Sequence, residues 1–395
     1  MNKKIVIPIT ILALVLIVAV IKMVSGGSKV ELEWTAVQTE ANAPSPISLY
    51  VYMENSGSMD GYMCAGSNLK DAVFDYVSDL QKQSSTCSLF YINTQVIPRG
   101  GVLENYIQNL TPSAFAQAGG NRQNTDLRQI LETIMQRHKR NAVSIFVSDC
   151  ILDITGNARD YFGNCQVSVK NIFNEAFAKD KNLGVQIMRL QSKFDGVWYC
   201  GTNNEKLRNV RRPYYIWVIG NKYILAQINK KVPYIHILGG VDNYCAFAPS
   251  SGDIPFDIER KTYVVNHTKK IKVRILADLT GCLQGEAILQ DPNNYVSDNP
   301  QAKVVSVNRV TSPNGKYSHL MEVEITNPKT VKQVSLLLSY PMLAGWVAKA
   351  NDDSGTNIKE NMDKTTGLLY LVRGVAEAYK DQNPYGSITF KLKNK

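Results

Sequence analysis

From Ile47 to Gly240 short apolar runs alternate with segments of helical period, and this alternation restricts the fold more than any other feature of the chain. The runs "ISLYVYM", "CSLFYINT", "AVSIFVSD", "GVQIMRLQSKF" and "YYIWVIG" are apolar on both faces of an extended strand. Between them, "SNLKDAVFDYVSDLQKQ" sets Leu69, Ala72, Val73, Tyr76, Val77 and Leu80 on one helical face. "TDLRQILETIMQRHKR" does the same with Leu127, Ile130, Leu131, Ile134, Met135 and His138. "SVKNIFNEAFAKDKN" and "NKYILAQINKKV" read as further helices and "YIHILGG" as a strand. Strands buried on both faces and separated by helices predict an α/β fold with a doubly wound, mostly parallel sheet. Ligands of such sheets gather at the carboxyl ends of the strands.

From about Asp242 the period changes to two. "KIKVRILADL", "GEAILQ", "KVVSVNRVTS", "HLMEVEITN", "KQVSLLLSYP" and "GSITFKLKNK" alternate apolar and polar residues between Gly, Pro and Asn. They predict a β-rich, sandwich-type module with one added helix at "GLLYLVRGVAEAYKD". The 395 residues provide ample core for two domains, 47–241 and 242–395.

Ahead of these, Met1-Asn2-Lys3-Lys4 is followed by 17 uncharged residues from Ile5 to Ile21. A cleaved signal peptide and an uncleaved anchor both fit this pattern. The length of the run, Lys22 behind it and the lack of an A-x-A site favour a membrane anchor over residues 1–24. No Cys follows the run, which excludes a lipoprotein anchor. With Lys3 and Lys4 in the cytoplasm, the expected place is a bacterial inner membrane, spanned once, with the bulk of the chain in the periplasm or outside the cell. Residues 25–46, polar and ending in two prolines, read as a linker. Seven cysteines occur and none is spaced C-x-x-C, so a zinc site is unsupported. An odd number leaves at least one unpaired within the chain.

Three strand ends carry oxygen-bearing side chains. "MENSGSM" puts Glu54, Ser56 and Ser58 after the first strand; "GGNRQNTDL" puts Thr125 and Asp126 ahead of a helix; "AVSIFVSD" ends at Asp149. In this order they resemble the von Willebrand factor type A domain, a Rossmann-like fold. The resemblance covers about Ile47 to Gly240, with an insertion around "DGVWYCGTNNEKLRNVRR". That family binds a metal ion through D-x-S-x-S, a threonine and an aspartate, and a partner's acidic side chain completes the metal sphere. The resemblance therefore implies metal ligation by Glu54, Ser56, Ser58, Thr125 and Asp149. The ion would be Mg2+ (or Mn2+ or Ca2+). Magnesium keeps several waters and needs few carboxylates, so hydroxyls suffice. The departure is Glu54 in place of aspartate, which moves the carboxylate by about 1.5 Å. Plainer roles also suit these residues: Ser56-Gly57-Ser58 as a turn, Thr125 as a helix cap with Asp126 in the first turn, and Asp149 as a turn residue.

No G-x-S-x-G elbow, H-E-x-x-H, P-loop or dinucleotide fingerprint is present, and the expectation is a protein that is not an enzyme. The net charge of +10 is spread over solvated helix ends and strand faces, Arg208 and Arg211-Arg212 among them. No base-reading or stacking motif accompanies it, so nucleic acid is not expected as a partner. The expected function is protein–protein interaction by a membrane-anchored, extracytoplasmic protein. The alternatives are a metal-free scaffold of an envelope complex and a metal-dependent hydrolase.

Overall fold

The computed structural model describes residues 28–35, 43–123, 125–154, 156–250, 252–265, 267–311, 315–382 and 385–395. The apolar run Ile5–Ile21 lies outside them. Among the described residues no helix is long and apolar enough to cross a membrane.

The expected linker contains a strand, β1 (Lys29–Glu33). Val30 and Leu32 alternate with charged residues in it, and both are fully buried. Their core lies at the far end of the chain, in the sandwich described below.

The strands β2 (Ser48–Glu54), β3 (Thr86–Ile92), β4 (Val96–Arg99), β5 (Ala142–Ser148), β6 (Leu183–Cys200), β7 (Asn203–Asn221) and β8 (Asn243–Phe247) form one sheet. Their order is β4-β3-β2-β5-β7-β6-β8. β2 runs parallel to β3 and β5, and the other pairings are antiparallel. The sheet is therefore mixed, not mostly parallel. β6 and β7 are separated only by residues 201–202, and so short a connection can join only antiparallel neighbours.

Apolar residues of the strands alternate between two cores. Leu49, Val51 and Met53 face α1 (Asn68–Gln81) and a 3-10 turn (Ser58–Met63). Tyr52, Phe90 and Phe146 face α2 (Leu127–Arg137) and α3 (Ala158–Lys179). A helix after β7, α4 (Lys222–Lys231), returns to the first face. Helices thus cover both faces of an α/β unit.

Three expected elements differ. "YIHILGG" is a 3-10 turn (Tyr234–His236) followed by a loop, because Pro233 opens it and Gly239 and Gly240 take left-handed φ of 88° and 79°. The edge strand is β8, just past the expected domain boundary. "GEAILQ" is one helical turn (Glu286–Leu289) rather than a strand. The added helix forms, as α5 (Leu368–Lys380), but it packs on α3 of the α/β unit. Gly374 permits that approach: a Cβ there would lie 2.6 Å from the Gln166 carbonyl and 2.8 Å from Val169 Cβ.

The remaining strands are β9 (Phe256–Ile258), β10 (Thr262–Val264), β11 (Lys270–Ala277), β12 (Tyr295–Ser297), β13 (Ala302–Arg309), β14 (His319–Thr326), β15 (Gln333–Leu338), the short parallel pair β16 (Asn351–Asp352) and β17 (Thr365–Thr366), and β18 (Ser387–Asn394). Sheets β13-β14-β11-β9 and β10-β1-β18-β15-β12 share one core, with Val273, Met321 and Val323 from the first and Val30, Leu32, Leu336 and Phe390 from the second.

Candidate functional site

β2 and β5 lie side by side in parallel register, so their carboxyl ends place Glu54 next to Ser148 and Asp149. Ser148 Oγ donates to Glu54 Oε2 and accepts from the Cys150 N–H at 2.7 Å. The turn after β2 then folds back on itself, with Ser56 Oγ and Ser58 Oγ 3.0 Å apart. Glu54, Asn55, Ser56, Ser58, Ser148 and Asp149 are all buried.

Electrostatics tie the group together. Burial, and next the charge of Asp149, push the Glu54 carboxyl from its usual 4.5 up to about 8, against hydrogen bonds from Ser148 and Ser56. Burial also raises Asp149, opposed by the nearby Ser58 hydroxyl, by its backbone bonds and by the Arg212 charge. Asp149 Oδ1 accepts from the Ile151 N–H at 3.3 Å. Asp149 Oδ2 is buried with no hydrogen-bond partner among the described residues.

Arg122 fastens the loop ahead of α2 to this turn. Its guanidinium donates to Asn55 Oδ1 at 2.8 Å, to the Ser56 carbonyl at 3.1 Å and to Asp60. Its own carbonyl accepts from the Gly57 N–H at 3.1 Å. Asn93, at the end of β3, donates to the Gly119 carbonyl at 2.9 Å and holds the loop's other end. Thr125 lies on this loop. It does not cap α2: Asp126 does, accepting from the Arg128 N–H at 2.9 Å while its carboxylate takes the Arg128 guanidinium. The expectation of Thr125 as the cap and Asp126 in the first turn is therefore wrong by one residue. Thr125 Oγ1 is left buried and without a hydrogen-bond partner among the described residues.

The structure thus groups Glu54, Ser56, Ser58 and Asp149 at the ends of β2 and β5, while Thr125 lies on the loop that Arg122 and Asn93 hold. Thr125 Oγ1 and Asp149 Oδ2 are buried without a hydrogen-bond partner among the described residues, and the Ser56 and Ser58 hydroxyls bond to each other; oxygens of this kind suit a hard, oxygen-seeking cation. Among the described residues no three His, Cys, Asp or Glu side chains converge, so the donor set is two carboxylates with hydroxyls.

Sequence reasoning missed Ser148, Arg122, Asn93 and Arg212. Arg212, expected among the solvated cations, is 1% exposed. It donates to the carbonyls of Met362 at 2.8 Å and Lys364 at 3.2 Å, which brings the loop between β16 and β17 to the site. Its place within a run that becomes apolar at "PYYIWVIG" was the available signal. All seven cysteines are free. No family model matches this chain, and no curated protein matches it at a significant level.

Proposed function

We propose that the chain is an interaction module of von Willebrand factor type A kind. On this reading it binds a divalent cation, Mg2+ first, at Ser56, Ser58, Thr125 and Asp149, with Glu54 beside them, and uses it to hold an acidic side chain of a protein partner. The chain would be anchored in a bacterial inner membrane by residues 5–21, with its bulk on the outer side. The observation that carries the reading is that two buried oxygens, Thr125 Oγ1 and Asp149 Oδ2, have no hydrogen-bond partner among the described residues. A bound cation would supply positive charge where the fold has collected carboxylates and hydroxyls. Glu54 is already engaged by Ser148, which suits a supporting role in place of the usual aspartate.

A second reading, a metal-free scaffold, has its own support: a Glu54 carboxyl raised to about 8 can be neutralised by a proton instead of a cation. Calorimetric titration of the full chain with magnesium and with manganese separates the two. The expected result is saturable binding, absent in Asp149→Asn and in the Ser56→Ala, Ser58→Ala double variant, with near-ultraviolet dichroism unchanged. A well-folded parent that takes up neither ion sinks the metal reading.

A further inference from the structure

The β6–β7 hairpin outgrows the sheet. β5 covers β7 only over 215–220, and β8 covers β6 only over 185–189, so beyond these residues the two strands pair with each other alone. This two-stranded arm lies along segment 57–65, which leads out of the candidate site. A Cβ at Gly57 would sit 3.6 Å from the Tyr199 ring, and one at Gly196 only 2.6 Å from Gly61 Cα. At the other end Lys193 Nζ donates to the Ala65 carbonyl at 3.2 Å.

Packing accounts for one side of the arm, where Phe194, Trp198 and Leu207 are buried. It does not account for the other. Lys206, Arg208 and Arg211 are exposed and Lys193 is half-buried. Lys193 stands directly opposite Arg211 in the ladder, an arrangement that like charges make unfavourable. Of the arm's two acids, Glu205 is taken by Lys359 at 2.8 Å and Asp195 sits at the bulge. Among the described residues none of the four cations meets a carboxylate. Tyr199, 45% exposed, stands at the end nearest the site.

We propose that this arm is the docking surface for an acidic protein segment, an Asp- or Glu-rich extended stretch lying along Lys193, Lys206, Arg208 and Arg211 with Tyr199 against its end. The inference rests on the reading of the neighbouring site and extends it: the site takes one carboxylate, and the arm takes the acidic residues beside it. An extended polypeptide suits a ribbon two strands wide. A bilayer surface is held more tightly where apolar groups insert beside the charges, and single-stranded nucleic acid where a row of aromatics stacks its bases; the arm exposes one aromatic.

The test is fluorescence anisotropy of a labelled oligoglutamate peptide with the full chain, at rising sodium chloride. The parent binds saturably and more weakly as salt screens the charges. The variant with Lys193→Gln, Lys206→Gln, Arg208→Gln and Arg211→Gln loses about tenfold or more in affinity, whereas Arg208→Lys with Arg211→Lys keeps most of it. Asp149→Asn removes only the increment that magnesium adds. A parent without that increment overturns the site reading and leaves the arm standing. Unchanged binding in the fourfold variant overturns the arm, as does tighter binding of the parent to phosphatidylglycerol vesicles or to a single-stranded oligonucleotide.

Discussion

Glu54 ends a strand that is apolar along most of its length, and its carboxyl is sealed in with Asp149 beside it. Between pH 4.5, its usual value, and about 8, the folded protein holds a proton that the unfolded chain has released. The folded state then binds more protons than the unfolded one, so raising the pH through this window withdraws stability. The loss is about 1.4 kcal/mol per pH unit while the difference amounts to a whole proton. Glu54→Gln keeps a neutral acceptor for Ser148 and has no proton to lose. Urea unfolding in chelator at about pH 5.5 and about pH 7.5 is therefore expected to show the parent weakening as pH rises and Glu54→Gln holding a flatter profile. A parent that gains stability over that range, or a variant with the same slope, refutes the assignment.

At the scale of the helix, Thr125 and Asp126 divide two roles between them. Asp126 satisfies the first turn of α2 through the Arg128 N–H, so Asp126→Ala costs about 1 kcal/mol of stability. Thr125 Oγ1 has no hydrogen-bond partner among the described residues, so Thr125→Ala removes a buried unsatisfied group and leaves metal-free stability nearly unchanged. Its effect should appear only as weaker magnesium binding, read by calorimetry beside thermal melts of both variants. A Thr125→Ala melt that falls as far as that of Asp126→Ala restores the cap to Thr125. "NTDL" placed the helix start within one residue and no closer, because threonine and aspartate both cap well and only the backbone decides. The same boundary holds elsewhere. "ISLYVYM", "CSLFYINT" and "AVSIFVSD" were legible as strands because both faces are largely buried, and only a single serine, Ser48, Ser88 or Ser144, interrupts the apolar part of each run. "YIHILGG" carries the same apolar signal, but Pro233 and the two glycines turned it into a loop with Ile235 and Leu238 exposed. Strand direction was legible only for β2, β3 and β5, which helical segments separate and which run parallel; the apolar runs of β6 and β7 read alike in both senses. The carboxylates and hydroxyls at the strand ends could be found by order along the chain. The residues that hold them could not, because Arg122, Ser148 and Arg212 act through distant backbone groups.

The division into domains at residue 241 followed the change of period, and the chain crosses that division three times. β1 leaves the N-terminal side to sit between β10 and β18 of the sandwich. β8, just past the boundary, completes the α/β sheet along β6. Later, α5 returns to cover α3, and β16 and β17 bring the loop that Arg212 and Arg189 grip by its carbonyls. Residues 47–241 taken alone would uncover Phe162, Val169, Phe173 and Phe177, all buried in the whole chain against a cluster that includes Leu371, Val375 and Tyr379. An apolar face of that kind drives association once it is bared. Fragment 47–241 is accordingly expected to be insoluble or to bind a hydrophobic dye, and to regain a protected core when produced together with 242–395. The Arg212 side chain in the fragment would also lose the carbonyls of Asn361, Met362 and Lys364, leaving a buried guanidinium without them and Asp149 beside it. Hydrogen exchange on the fragment and on the whole chain reads both effects. If the fragment alone shows full-chain protection across β5 and α3, then the returning helix is an ornament on a unit that folds without it, and the site owes nothing to the C-terminal loop.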